Sequence, residues 1–146
     1  MNTLANRVFA PVPAGFLTDF ALLCLRLWMG LGILLLHGMD KMTKFGELKG
    51  SFPDLLGIGS VGNLSLALFA EVVCGGLLVL GLVTRFAALN LVVTMFVAFS
   101  LVHKMALTGD HSGELAFMYL AGFLTILIAG PGKFSADACL FRRPSL

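Results

Sequence analysis

Charge is what this 146-residue chain has least of: Asp, Glu, Lys and Arg make up 12% of it, against 58% hydrophobic residues and a mean hydropathy of +0.97. A water-soluble domain of this length would expose far too much apolar surface, so the composition implies a polytopic membrane protein. With one Trp and one Tyr there is no stacking platform for bases, and the ten Lys and Arg are dispersed between apolar segments. Both facts argue against a nucleic-acid partner. Cys24, Cys74 and Cys139 lie far apart with no C-x-x-C, which excludes a disulfide framework and a zinc ribbon. No haem-ligand or iron–sulfur spacing occurs either. The leader, with Arg7, Pro11 and Pro13, lacks a small-residue cleavage site, so the apolar run after it is expected to stay as a membrane anchor and residues 1–18 to lie at the membrane surface.

What the chain does have is apolar runs long enough to cross about 30 Å of hydrocarbon, which takes about 20 helical residues. The expected architecture is all-α: a single domain, 1–146, forming an integral membrane four-helix bundle. Its spans fall at about 20–37, 63–82, 86–103 and 115–130, the first closed by Gly38 and the last by Gly130-Pro131-Gly132. A polar connection, about 41–52, spaces Met42, Phe45 and Leu48 three apart, as a short amphipathic turn in the headgroup region requires. The tight Thr84-Arg85 link makes the second and third spans antiparallel neighbours. Four spans put both termini on one side, and Lys and Arg counting favours that side as cytoplasmic: Arg7, Arg85, Lys133, Arg142 and Arg143 against Lys41, Lys44, Lys49 and Lys104.

Glu71 stands in the middle of the second run, where an isolated carboxylate costs roughly 2.5–3.5 kcal/mol. It therefore needs a partner, a proton or water. In the first span Arg26, Gly30, Ile33 and His37 recur at i, i+4, i+7 and i+11, one helical face that should point into the bundle. Counting the rise puts Arg26 roughly 9 Å from the terminal-side end and Glu71 roughly 12 Å from the opposite end, within about 10 Å of each other axially. An Arg26–Glu71 ion pair, or a hydrogen-bond network they share, is the expectation. A purely structural pair that fixes helix register is the plainer alternative for Glu71.

The far ends of the spans collect His37, Lys41, His103, Lys104, His111 and Glu114, with Phe99 and Phe96 one and two turns below His103. Imidazoles above phenyl rings, opposite a carboxylate and a guanidinium, suit a flat, partly polar ring such as a quinone headgroup. Ordinary packing by the two phenylalanines and helix capping by His103 explain the same residues without a ligand. A second chemistry uses His111 and Glu114, three apart, as metal ligands completed by His37 or His103. Glu114 at a helix entrance also has a plain electrostatic explanation.

Arg26, the His37-Gly38 pair followed by Lys41, Glu71 leading into Gly-Gly-Leu-Leu-Val-Leu-Gly-Leu-Val-Thr-Arg85, then His103, Glu114, the Gly130-Pro131-Gly132 exit and Asp137 together resemble the DoxX family of small bacterial four-helix membrane proteins. The likeness runs from about Asp19 to Asp137. It implies a multi-pass protein of the bacterial inner membrane; some members are named as subunits of a thiosulfate:quinone oxidoreductase, others are associated with membrane complexes that handle thiols and oxidative stress. The family supplies no agreed catalytic residue.

The functional expectation is a membrane subunit of a quinone-linked oxidoreductase acting on sulfur or thiol reductants. Glu71 and Arg26 serve as the catalytic, charge-balancing pair, and His37, Lys41, Phe96, Phe99 and His103 bind the quinone. Partners are the bilayer, other subunits that carry any further redox centre, and a second copy in a homodimer. The rival is a non-catalytic scaffold or accessory protein, or a small solute or metal carrier, held together by Gly30, Gly75, Gly76, Ala121 and Gly122.

Overall fold

No proline interrupts the apolar runs, since the five prolines fall at 11, 13, 53, 131 and 144, and each run becomes helix. A computed structural model describes residues 15–140. The expected surface position of the leader lies largely outside those residues, as do Arg7, Arg142 and Arg143 of the charge count. The described chain forms α1 (Phe16–Thr43), α2 (Phe45–Leu48), α3 (Gly59–Leu80), α4 (Thr84–Val102), α5 (Glu114–Ala129) and α6 (Ala136–Leu140), with no strand among the described residues. Helices α1, α3 and α4 are long and apolar enough to cross a membrane; α5 is apolar and shorter, 16 residues or about 24 Å.

The first helix is longer than expected at both ends. It starts four residues before Phe20 and does not stop at Gly38, because a glycine in a hydrogen-bonded helix need not end it when packing holds it there. Gly38 lies against α3 so closely that a Cβ would sit 3.1 Å from the carbonyl carbon of Glu71 and 3.2 Å from the amide nitrogen of Val72. About two turns earlier Gly30 meets the Gly75 carbonyl and Val79 in the same way. These contacts set the antiparallel register of α1 on α3. In place of an amphipathic helix over the whole of 41–52, Lys41 continues α1 and only Phe45–Leu48 forms a separate turn.

At the other end of α3, Gly81 takes a left-handed conformation (φ +68°) and Val83 follows it at φ +43°. This short reversal makes α3 and α4 antiparallel, as the Thr84-Arg85 link implies. Helix α5 packs along α4 and across α1, and the core between the helices holds Ile33, Cys74, Leu78, Leu91, Phe123 and Ile126. The connections 44–58 and 103–113 lie at one end of the packed helices, here the loop end. The Gly81–Val83 turn, the start of α1 and residues 130–140 lie at the other, the turn end.

Three of the long helices contain a wide, π-type turn: Ile33–Gly38 in α1, Phe69–Cys74 in α3 and Ala98–Val102 in α4. A π segment accommodates an extra residue and shifts the phase of the helix. In α1 the buried positions accordingly run Arg26, Gly30, Ile33 and then Gly38, five residues on instead of four. The segments of α1 and α4 fall in the loop-end half of their helices, and that of α3 falls at its middle.

Candidate functional site

The π segment of α3 carries Glu71, and the helix beyond the π segment of α1 carries Lys41. The Lys41 ammonium donates to both oxygens of the Glu71 carboxylate, at 2.8 and 2.7 Å. Glu71 is 5% exposed and Lys41 23%, so the carboxylate is enclosed while its partner reaches toward the loop end. A carboxylate at this depth is tolerable because the partner's charge and two hydrogen bonds replace its hydration.

Around this pair lies a cavity of about 690 Å³, within the range of small-molecule sites. Its polar lining includes His37, Lys41, Glu71, His103, Asn63 and Tyr119, and all three π segments contribute to its wall. The His37 ring meets Tyr119 edge to face at 5.6 Å, and Tyr119 stacks on Phe123 at 5.6 Å, which fixes both polar tips relative to the core. His103 ends α4, and its Nδ1 hydrogen-bonds the His111 carbonyl at 3.0 Å, which orients the ring. Leu48, Phe52, Pro53, Leu55 and Leu56 of the connection after α1 close the cavity at the loop end. That cover is tied down by Asp54, whose Oδ1 accepts from the Asn63 amide at 2.6 Å and from the Ile58 backbone N–H at 3.0 Å.

Arg26 is elsewhere. It is fully buried at the turn end, where Nη2 donates to the Phe134 carbonyl and the guanidinium packs on Gly81, the position at which a Cβ would overlap it. The expected Arg26–Glu71 contact is therefore not made: Arg26 lies level with Gly81 and Glu71 level with Gly38, and twelve helical residues separate those levels by about 18 Å. The depth count missed this because α1 begins early and overhangs the end of α3. Asp137 of α6 completes the turn-end cluster, accepting from the amides of Val83 at 2.7 Å and Thr84 at 2.8 Å and so capping α4. Burial raises the Asp137 pKa, but the Thr84 and Val83 amides and the charge of Arg26 outweigh it and hold the carboxyl below its ordinary value.

Of the residues the sequence nominates, the cavity gathers Glu71, His37, Lys41 and His103. Phe96 is exposed, and Phe99 packs on Phe117 at 5.4 Å; neither lines the cavity. Helical spacing put them below His103, but the π segment at Ala98–Val102 turns that stretch out of phase. His111 presents its carbonyl to His103, and Glu114 opens α5 with its N–H on the Ser112 hydroxyl at 3.2 Å. Among the described residues no three His, Cys, Asp or Glu side chains cluster as metal ligands would. Tyr119 is the residue that sequence reasoning missed. Its signal was available: a lone tyrosine in an apolar helix needs somewhere to put its hydroxyl.

Comparison with known proteins gives a consistent family. The family model described as DoxX matches residues 21–104. An uncharacterized membrane protein of Mycobacterium tuberculosis is 31% identical over 144 residues, covering 84% of this chain and 83% of the relative. An uncharacterized protein of Haemophilus influenzae is 35% identical over 118 residues, covering 75% of this chain and 83% of the relative. No solved structure matches.

Proposed function

The chain belongs to the DoxX family of membrane proteins, and from that premise we propose that it is the membrane subunit of a quinone-linked oxidoreductase acting on sulfur or thiol reductants. In this reading α5 is the fourth span of a four-helix bundle in the bacterial inner membrane, with both ends of the described chain toward the cytoplasm. The reductant class follows the resemblance to members named as thiosulfate:quinone oxidoreductase subunits. The observation that carries the quinone assignment is the cavity: three π segments converge on an apolar chamber in which Lys41–Glu71, His37, Tyr119 and His103 are the groups of consequence. π segments of this kind recur at functional sites.

The residues present fit a quinone ring in chemistry and size. Apolar walls suit the ring faces, and the Lys41 ammonium, the Tyr119 hydroxyl and an imidazole N–H are the donors its carbonyl oxygens need. When bound, a quinone supplies acceptance of two electrons and two protons. The protein's own part is positional and protonic. His37 and Tyr119 orient the ring, and Glu71, its charge matched by Lys41, offers a site at which a proton can be held.

Extraction of lipid-soluble cofactors from the purified protein tests this. Quinone should accompany the wild type and fall by about three- to tenfold or more in Lys41→Met and His37→Ala variants that still fold, the loss of a charged and a neutral hydrogen bond respectively. A folded, quinone-free wild type that also fails to bind added quinone overturns the proposal and leaves the non-catalytic scaffold or carrier.

A further inference from the structure

The cavity has two ends of opposite character. His37, Lys41, Glu71, Tyr119 and His103 line it, the polar side chains of Asn90 and Thr94 on α4 are spent on carbonyls of their own helix, and at the loop end the apolar cover anchored by Asp54 lies over it. On the side between α3 and α4 the cavity is lined by apolar side chains that are themselves accessible. Leu66, Phe69 and Val93 line the cavity there and are 51%, 41% and 54% exposed. The reason is in the packing. The two helices hold together along the Phe69–Leu80 half of α3 and part along its Gly59–Leu68 half, beyond the π segment. In an apolar chain of this kind that outer surface faces acyl chains, so the gap opens on lipid.

We infer that the cavity takes its ligand sideways from the bilayer, through the gap between α3 and α4, and that the ligand is an amphiphile whose polar ring reaches Lys41 and His37 while its isoprenoid tail stays in the gap against Leu66, Phe69 and Val93. The inference rests on the proposed quinone site and adds the route and the tail subsite. An apolar mouth continuous with a polar interior is the shape such a molecule requires, because the tail never leaves hydrocarbon while the ring exchanges lipid for hydrogen-bond donors. A wholly hydrophilic solute would instead have to cross the apolar cover of Leu48, Phe52 and Leu56.

The test is equilibrium binding to the full chain in detergent, with two probes: a two-isoprene ubiquinone and the same benzoquinone ring without a tail. Wild type is compared with Leu66→Trp/Val93→Trp, which fills the mouth, and with Ile128→Trp, an exposed apolar position outside the cavity. The mouth variant should bind the tailed probe about tenfold more weakly and the tail-less ring within about twofold of wild type, with Ile128→Trp unchanged for both. If the double variant does not fold, Leu66→Phe alone should still separate the two probes. Equal weakening of both probes, or of neither, overturns the sideways route while leaving the quinone site standing. A wild type that binds the bare ring but not the tailed probe does the same. A folded wild type that binds neither probe overturns the proposed function and this inference with it.

Discussion

Thirty residues apart in the chain, Lys41 and Glu71 form a bidentate ion pair, both carboxylate oxygens accepting from one ammonium. The pair bridges α1 and α3 at the level where both helices carry π segments. It answers the energetic problem that Glu71 poses in an apolar run, and it does so with the residue one turn beyond His37.

Removing only the lysine leaves a nearly buried carboxylate without its partner. Lys41→Met should destabilise the fold by about 2–3 kcal/mol, less than the ~3–5 of a fully buried pair because the ammonium is partly solvated. The double variant Lys41→Met/Glu71→Leu should recover most of that loss. Denaturant titration of the two single variants and the double variant in mixed micelles measures the coupling, and a double variant as unstable as Lys41→Met alone would show that the carboxylate is not what the lysine serves.

Close helix contact at Gly38 predicts a contrast between two glycines. Gly38→Val places its side chain against the backbone of Glu71 and Val72, which cannot yield without parting α1 from α3, and should cost about 1–3 kcal/mol. Gly76 has open space around its Cβ direction in the same α3, so Gly76→Ala should be neutral or gain up to about 1 kcal/mol from helix propensity. Thermal melts in one detergent compare them directly.

At the turn end the folded-state pKa of Asp137 is depressed, so its stabilising contribution is complete above the unfolded-state pKa and is lost as pH falls through the folded one. The melting temperature of the wild type should therefore drop below about pH 4, with Asp137→Asn lower at neutral pH and flatter across that range. The Asn variant retains one acceptor for the Val83 and Thr84 amides, and its cost should be about 1–3 kcal/mol. Parallel pH profiles for the two proteins would expose this carboxylate as someone else's partner.

Ring binding separates the residues the cavity collects from those it leaves out. Tyr119→Phe removes one donor and should weaken benzoquinone binding by about three- to tenfold, the worth of one neutral hydrogen bond, without changing the melting temperature appreciably. Phe96→Leu, on the exposed side of α4, should leave binding unchanged. Titration of the detergent-solubilised variants reads both, and the reverse ranking would return the site to the face of α4 that helical spacing suggests.

The sequence alone determined that this protein belongs in a membrane, that its apolar runs are helical, where they begin and end to within a few residues except at the far end of α1, and that Glu71, His37 and His103 face the interior. Those conclusions depend on local quantities: hydropathy, run length, the positions of proline and the cost of a charge in hydrocarbon. Which charges meet was decided only by the tertiary structure. Residue counting at 3.6 per turn loses its phase across each π segment, so Phe96 and Phe99 fall outside the cavity. Axial registry is set by the glycine contacts of α1 on α3, which carry Arg26 past Glu71 to Phe134 and Gly81 and bring Lys41 to Glu71 instead. Registry between helices is a property of two packed surfaces, and no single run of residues contains it.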